Sequence, residues 1–299
     1  MSNKKTDNAI RNLFIEKIYN ICDGKKAEEV FLTYIKSDGT EEDITYRSFG
    51  LKCELLMQKF QKSMLHRNDR VLVLTPMSPF GCIAVTALAI SELVSVVLNP
   101  QLPEEELDSL VKKSDISGIV CDEEIYQKYA YKWTQKYPVF NIKTGDLFLD
   151  REYFSESSKD SDDVLAILYS SGTTSEPKGV MITYEAQMKS AELLLRAFGT
   201  NDIRYLLVFP MFHVSGFSVF FALFLGGGQI GLLENTNSIK LMDGFQKYKP
   251  NAFGMVPKVY ETFYTKIVSQ LNNKKFAMKM LSFCGWLNEK LHIKAGSFF

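Results

Sequence analysis

Apolar runs closed by proline alternate with helical spacings along much of this chain. Residues 70–76 (RVLVLTP) and 94–100 (VSVVLNP) are apolar runs ended by Pro76 and Pro100, and each reads as a buried strand. Between them, residues 81–93 are rich in Ala, Ile and Leu and read as a buried helix. Residues 104–114 place Glu104, Glu105 and Glu106 first and Lys112 and Lys113 last, which suits a helix dipole. Residues 118–122 (GIVCD) predict a further strand. This alternation predicts an α/β fold of mostly parallel sheets covered by helices.

The flanks extend the pattern. Residues 30–34 and 42–46 enclose Ser37-Asp38-Gly39 and predict a hairpin. Phe49, Cys53, Leu56 and Phe60 predict a helix over 48–63. Residues 155–163 (SESSKDSDD) form a polar loop, and 164–170 (VLAILYS) a strongly apolar strand. A loop over 171–182 and a helix over 185–198 follow, with Thr183 as its N-cap. Strand 205–210, buried helix 217–225 and strand 228–233 complete this part, and 259–271 and 274–291 read as amphipathic helices.

Two uncharged stretches, 71–91 and 205–233, are long enough to cross a bilayer. Pro76, Pro79 and Gly81 interrupt the first, and Pro210, Gly216 and Gly226 to Gly228 the second. Both read as strand, turn and buried helix. Thirty-five basic residues balance thirty-five acidic ones, so no global field favours nucleic acid. From Asn235 onward ten lysines face three acids, a solvated basic face or a surface for acidic lipid or polyphosphate. Five cysteines without a CxxC pair predict a reducing, cytoplasmic setting. With three dispersed histidines, they argue against a metal site.

The chemically informative segment is 168–185, LYSSGTTSEPKGVMITYE. A buried strand runs into Ser170, Ser171, Gly172, Thr173 and Thr174, followed by Ser175, Glu176, Pro177, Lys178 and Gly179. Small residues let backbone N–H groups approach an anion closely. Hydroxyls donate to phosphate oxygens, and a lysine partners a triphosphate. The spacing is not that of a Walker loop. By composition alone such a loop is more often a plain turn.

The order of the residues resembles the phosphate-loop signature YSSGTTGxPKG of the adenylate-forming superfamily, which includes acyl-CoA synthetases, coumarate-CoA ligases, luciferases and peptide-synthetase adenylation domains. Other segments resemble family elements in the family's order: 44–49 (ITYRSF), 68–80 (NDRVLVLTPMSPF), 95–107 (SVVLNPQLPEEEL), 210–216 (PMFHVSG) and 254–263 (GMVPKVYETF).

The resemblance implies an incomplete large N-terminal domain of that fold over 25–299, preceded by a polar leader, 1–24. It implies ATP-dependent activation of a carboxylic acid, weakly a fatty acid, to an acyl-adenylate and then an acyl-CoA. ATP, Mg2+ and coenzyme A are the implied cofactors. Ser170, Ser171, Gly172, Thr173, Thr174, Lys178 and Gly179 would cradle the phosphates, with Thr173, Thr174 and Lys178 on the β- and γ-oxygens. His213 and Gly216 would border the acyl pocket.

Ser175 departs from the usual glycine, and Thr183-Tyr184 from the usual Thr-His. The chain stops at HIKAGSFF, ahead of the adenine-, magnesium- and ribose-binding elements, the hinge and the small C-terminal domain of the family. These residues alone are therefore expected to be inactive. The alternatives are a non-catalytic nucleotide- or acyl-binding subunit that pairs with a completing partner, and a peripheral membrane protein.

Overall fold

The computed structural model describes residues 2–63, 65–142, 147–148, 163–169, 177–199 and 202–255, together with residues 257, 260, 261, 264 and 265. In chain order the first elements are α1 (Ser2–Asp23), β1 (Val30–Ile35), β2 (Glu41–Thr45), α2 (Tyr46–Gln61), β3 (Arg70–Leu74), α3 (Pro79–Ile90) and β4 (Val94–Val97). Next come α4 (Glu104–Ser114), β5 (Gly118–Cys121), α5 (Glu123–Trp133), β6 (Val139–Asn141), β7 (Leu147–Phe148), β8 (Val164–Tyr169) and β9 (Gly179–Thr183). Then follow α6 (Tyr184–Phe198), β10 (Arg204–Leu207), α7 (Val214–Gly226), β11 (Gln229–Leu233), α8 (Ser238–Tyr248) and β12 (Ala252–Phe253).

The strands form two sheets. One has the order β12-β10-β11-β1-β2, with only β2 antiparallel. The other has the order β7-β6-β5-β3-β4-β8-β9, parallel except for its edge strands β7 and β9. The parallel strands β3, β4 and β5 are buried and mainly apolar because helices cover both faces.

The main core joins the two sheets through α1, α2, α3, α6 and α7. Its centre is aromatic. Phe31 of β1 lies 4.8 Å from Phe224 of α7 and 5.0 Å from Phe49 of α2, measured between ring centroids. A second cluster seats α4 and α5 on the far face of the seven-stranded sheet through Leu107, Leu110, Val111, Tyr129 and Trp133. On the five-stranded sheet, α8 packs against β10 and β11. Gly231 of β11 makes room there, since a Cβ on it would lie 2.8 Å from the Tyr248 ring.

Both uncharged stretches resolve into strand, turn and helix, as β3–α3 and β10–α7–β11. No helix among the described residues is long and apolar enough to cross a membrane. The β1–β2 hairpin forms as expected. Thr183 caps α6, its side chain accepting from the Ala186 N–H at 3.1 Å.

Two expectations are corrected. Residues 1–24 are not simply a polar leader: α1 buries Phe14 and Ile18 in the main core. Its buried stripe also contains Arg11, 3% exposed, which pairs with Glu92 at 2.8 Å and with Asp163. A charge inside the apolar stripe hides the helical period. The loop expected over 171–182 ends early, because β9 begins at Gly179 and pairs back onto β8. The segment 155–162 lies outside the described residues.

The chain divides into the units Met1–Gly254 and Met255–Phe299. Most of the second unit, including nearly all of the expected helices 259–271 and 274–291, lies outside the described residues. Tyr260, Glu261, Tyr264 and Thr265 are helical, and the Thr265 hydroxyl donates to the Glu261 carbonyl at 2.8 Å.

Candidate functional site

Strands β4 and β8 lie side by side and parallel, Val97 opposite Leu168. After β4 the chain crosses through α4 to β5, on one side of the pair. After β8 it turns back through β9, on the other side. The connections thus leave in opposite directions at the carboxyl ends of adjacent strands, the usual location of ligand crevices in open α/β sheets. A cleft of about 160 Å³ opens there.

Its walls come from four segments distant in sequence. Val97, Leu98 and Asn99 end β4; Leu102, Glu106 and Leu110 come from the approach to α4 and from α4 itself. Tyr169 and Pro177 flank the β8–β9 turn, and Phe212 and His213 precede α7. The walls are mainly apolar, with Asn99, Glu106 and His213 as the polar groups.

The expected phosphate-binding segment is closed by an antiparallel pair, Tyr169 opposite Gly179. Ser170, Ser171, Gly172, Thr173 and Thr174 lie outside the described residues, as does Ser175. Lys178 is exposed next to this pair. Gly179 has a packing reason to lack a side chain: a Cβ there would lie 3.0 Å from Ile167 and 3.3 Å from the Tyr169 ring. An exposed cation, a small residue and an apolar strand ending in hydroxyl residues fit a polyphosphate.

His213 is exposed on the cleft rim as the N-cap residue of α7, its backbone N–H donating to the Pro210 carbonyl at 3.0 Å. Its ring centroid lies 5.0 Å from that of Phe212. Gly216 is buried, and a Cβ on it would lie 2.2 Å from the Pro210 carbonyl oxygen. That close approach lets the first turn of α7 fold against the Phe209–Pro210 turn. Among the described residues no three His, Cys, Asp or Glu side chains gather to hold a metal ion.

Tyr184 stands where the resembling motif has histidine. Burial pushes its phenol up. The hydroxyl donates to the Ala89 carbonyl at 2.8 Å, and the ring meets Phe14 edge-on at 5.2 Å. In this chain the position serves the core.

Sequence reading missed Asn99, Glu106, Lys113 and Ser114. The last two bond to the stems of the β8–β9 turn across separations of 64 and 55 residues. No local spacing could signal such contacts.

A larger cleft, about 200 Å³, lies between the β1–β2 turn and α8. Its lysines fasten that turn: Lys240 donates to the Ser37 carbonyl at 2.7 Å and Lys247 to the Gly39 carbonyl at 2.6 Å. Their role there is structural.

Two α/β sheets covered by helices, with the sequence YSSGTTSEPKG linking β8 to β9, match the N-terminal domain of the adenylate-forming class. The chain belongs to the family described as AMP-binding enzyme, whose pattern matches residues 22–298. It is 24% identical over 239 residues to 4-coumarate–CoA ligase 2 of Petroselinum crispum, covering 74% of this chain and 43% of that protein. It is 22% identical over 309 residues to fatty acyl-CoA synthetase A of Dictyostelium discoideum, covering 94% of this chain and 46% of that protein. The chain thus spans less than half the length of either relative. Its fold matches O-succinylbenzoate coenzyme A synthetase from Bacillus subtilis, solved in complex with ATP and magnesium ion, with a TM-score of 0.68 and 17% identity. That match covers 84% of this chain and 65% of the solved one.

Proposed function

We propose that this chain carries the phosphate-binding half of an acyl- or aryl-CoA ligase. The observation that supports the reading is that Tyr169 and Pro177, the described residues on either side of 170–176, line a cleft that also reaches His213. Bound ATP would supply a phosphorus electrophile for a carboxylate, with pyrophosphate leaving, and coenzyme A would then take the acyl group as a thioester, with AMP leaving.

The residues of this chain serve that chemistry electrostatically. Lys178 neutralises charge on the departing phosphates, and Thr173 and Thr174 donate to their oxygens. Ser170, Ser171 and Gly172 offer backbone N–H groups, and Gly179 keeps the return strand close. Magnesium would enter with the nucleotide, held through phosphate oxygens, and would share the neutralisation of their charge with Lys178. His213 borders the acyl group on the cleft rim, next to the turn closed by Gly216. The apolar walls formed by Val97, Leu98, Leu102 and Leu110 limit water around the reacting groups.

A fatty acid is the proposed substrate, supported by the named activity of the Dictyostelium relative and by the apolar cleft. The proposed location is cytoplasmic, supported by four buried free cysteines.

The test is ATP binding together with carboxylate-dependent ATP–pyrophosphate exchange, using a fatty acid and 4-coumarate. These 299 residues assayed alone should bind ATP without exchange. Exchange with the fatty acid would show that they complete the activation step unaided. Absence of ATP binding would overturn the reading.

A further inference from the structure

Both stems of the β8–β9 turn are tied to one place, the last turn of α4. Tyr169 ends β8, and its hydroxyl lies 2.9 Å from the Ser114 hydroxyl. Ser114 gives its single hydroxyl proton to the Leu110 carbonyl at 2.6 Å, so Tyr169 is the donor in the pair. On the returning side, Lys113 donates to the Pro177 carbonyl at 3.3 Å. The Tyr169 ring also spans the two stems, lying against Gly179.

The anchor is itself fixed. Ser114 is 2% exposed, and Arg70 of β3 donates to its carbonyl at 3.1 Å. Asp115 ends α4 immediately afterwards in the left-handed region, with φ of 51°. Leu110, which accepts from Ser114, also lines the cleft.

We infer that Ser114 and Tyr169, seconded by Lys113, are positioning residues: through their bonds the C-terminal turn of α4 sets where the phosphate-binding turn begins and where Lys178 stands. The inference rests on the reading of 170–179 as phosphate-binding. The sequence between the stems is polar, and connecting segments take their position from the elements that flank them. One hydroxyl pair holds the first stem, so losing either member should act like losing both.

The experiment uses the full 299-residue chain as wild type, Tyr169→Phe, Ser114→Ala and the double variant. Brief trypsin treatment of the folded proteins, read by mass spectrometry, gives the cleavage rate at the Lys178–Gly179 bond. ATP affinity is measured in parallel. Each single variant should raise cleavage at Lys178 and weaken ATP binding about 3- to 10-fold. The double variant should do no worse than the more affected single one, and cleavage after Lys52 and Lys189 should be unchanged. Unchanged cleavage at Lys178, equal acceleration at all three lysines, or multiplying effects in the double variant would overturn the inference. If the wild type fails to bind ATP, the phosphate-binding reading falls, while the cleavage pattern still decides whether the anchor holds the turn.

Discussion

Single residues here are often set by what lies within 3 Å of them. Gly216 is the sharpest case, because the atoms facing its missing Cβ are the backbone oxygens of Phe209 and Pro210. Backbone cannot rotate away as a side chain can. Gly216→Ala should lower stability by about 1–3 kcal/mol, read from urea midpoints at constant slope. Tyr184 is set by its hydrogen bond to Ala89, made inside the core. Tyr184→Phe removes one of the two donors to that carbonyl, which keeps the Glu92 N–H at 3.2 Å, and should cost about 0.5–1.5 kcal/mol. Wild-type stability in either variant would contradict these assignments. Most of the candidate site was legible at this scale, because YSSGTTSEPKG and PMFHVSG are local patterns. Ser114 and Lys113 were not, because α4 shows only an amphipathic period and its bonds to Tyr169 and Pro177 belong to tertiary structure.

Among the elements, α1 shows how a buried charge works in this fold. Arg11 sits between Glu92, which follows α3, and Asp163, which precedes β8, with its guanidinium 5.3 Å from the centre of the Tyr184 ring. Removing one member of such a group leaves a buried charge uncompensated. Arg11→Ala should therefore cost about 3–5 kcal/mol, and Arg11→Ala with Asp163→Ala less than the sum of the two single changes. Additive losses in a double-mutant cycle would show that the pair does not couple. The same arginine explains why α1 was hard to read from sequence, whereas β3, β4 and β8 were plain. Those strands are almost wholly apolar and buried on both faces, Ser95 of β4 being the one polar residue inside them. β9 escaped notice for the opposite reason: Gly179, Val180 and Met181 are exposed on an edge strand and lack the alternation of a half-buried one.

Across the whole molecule, the aromatic and cysteine-lined layer between the sheets governs the response to alkali. Burial, the largest cause, with the nearby Asp23 and Glu54 carboxylates, pushes the Cys22 thiol from 9.0 up to about 12. Burial, with Glu234 and Glu42 nearby, pushes the Tyr34 phenol from 10.0 to about 12. Both groups are neutral when protonated and hold their proton more tightly when folded. The folded state is therefore favoured fully below their unfolded values, and that advantage disappears as pH rises towards 12. Stability against urea should be insensitive to these groups below pH 9 and fall steadily between 9 and 12. A stability that rose across that interval would contradict the burial of the two groups.

We propose that nucleotide triphosphate binding by this chain depends on the segment between β8 and β9. Equilibrium binding of ATP and of AMP to the wild type and to Lys178→Ala tests it most directly. The wild type should bind ATP, and Lys178→Ala should weaken ATP binding about 10- to 100-fold while AMP binding barely changes. No ATP binding by the wild type, or equal losses for both nucleotides, would contradict it.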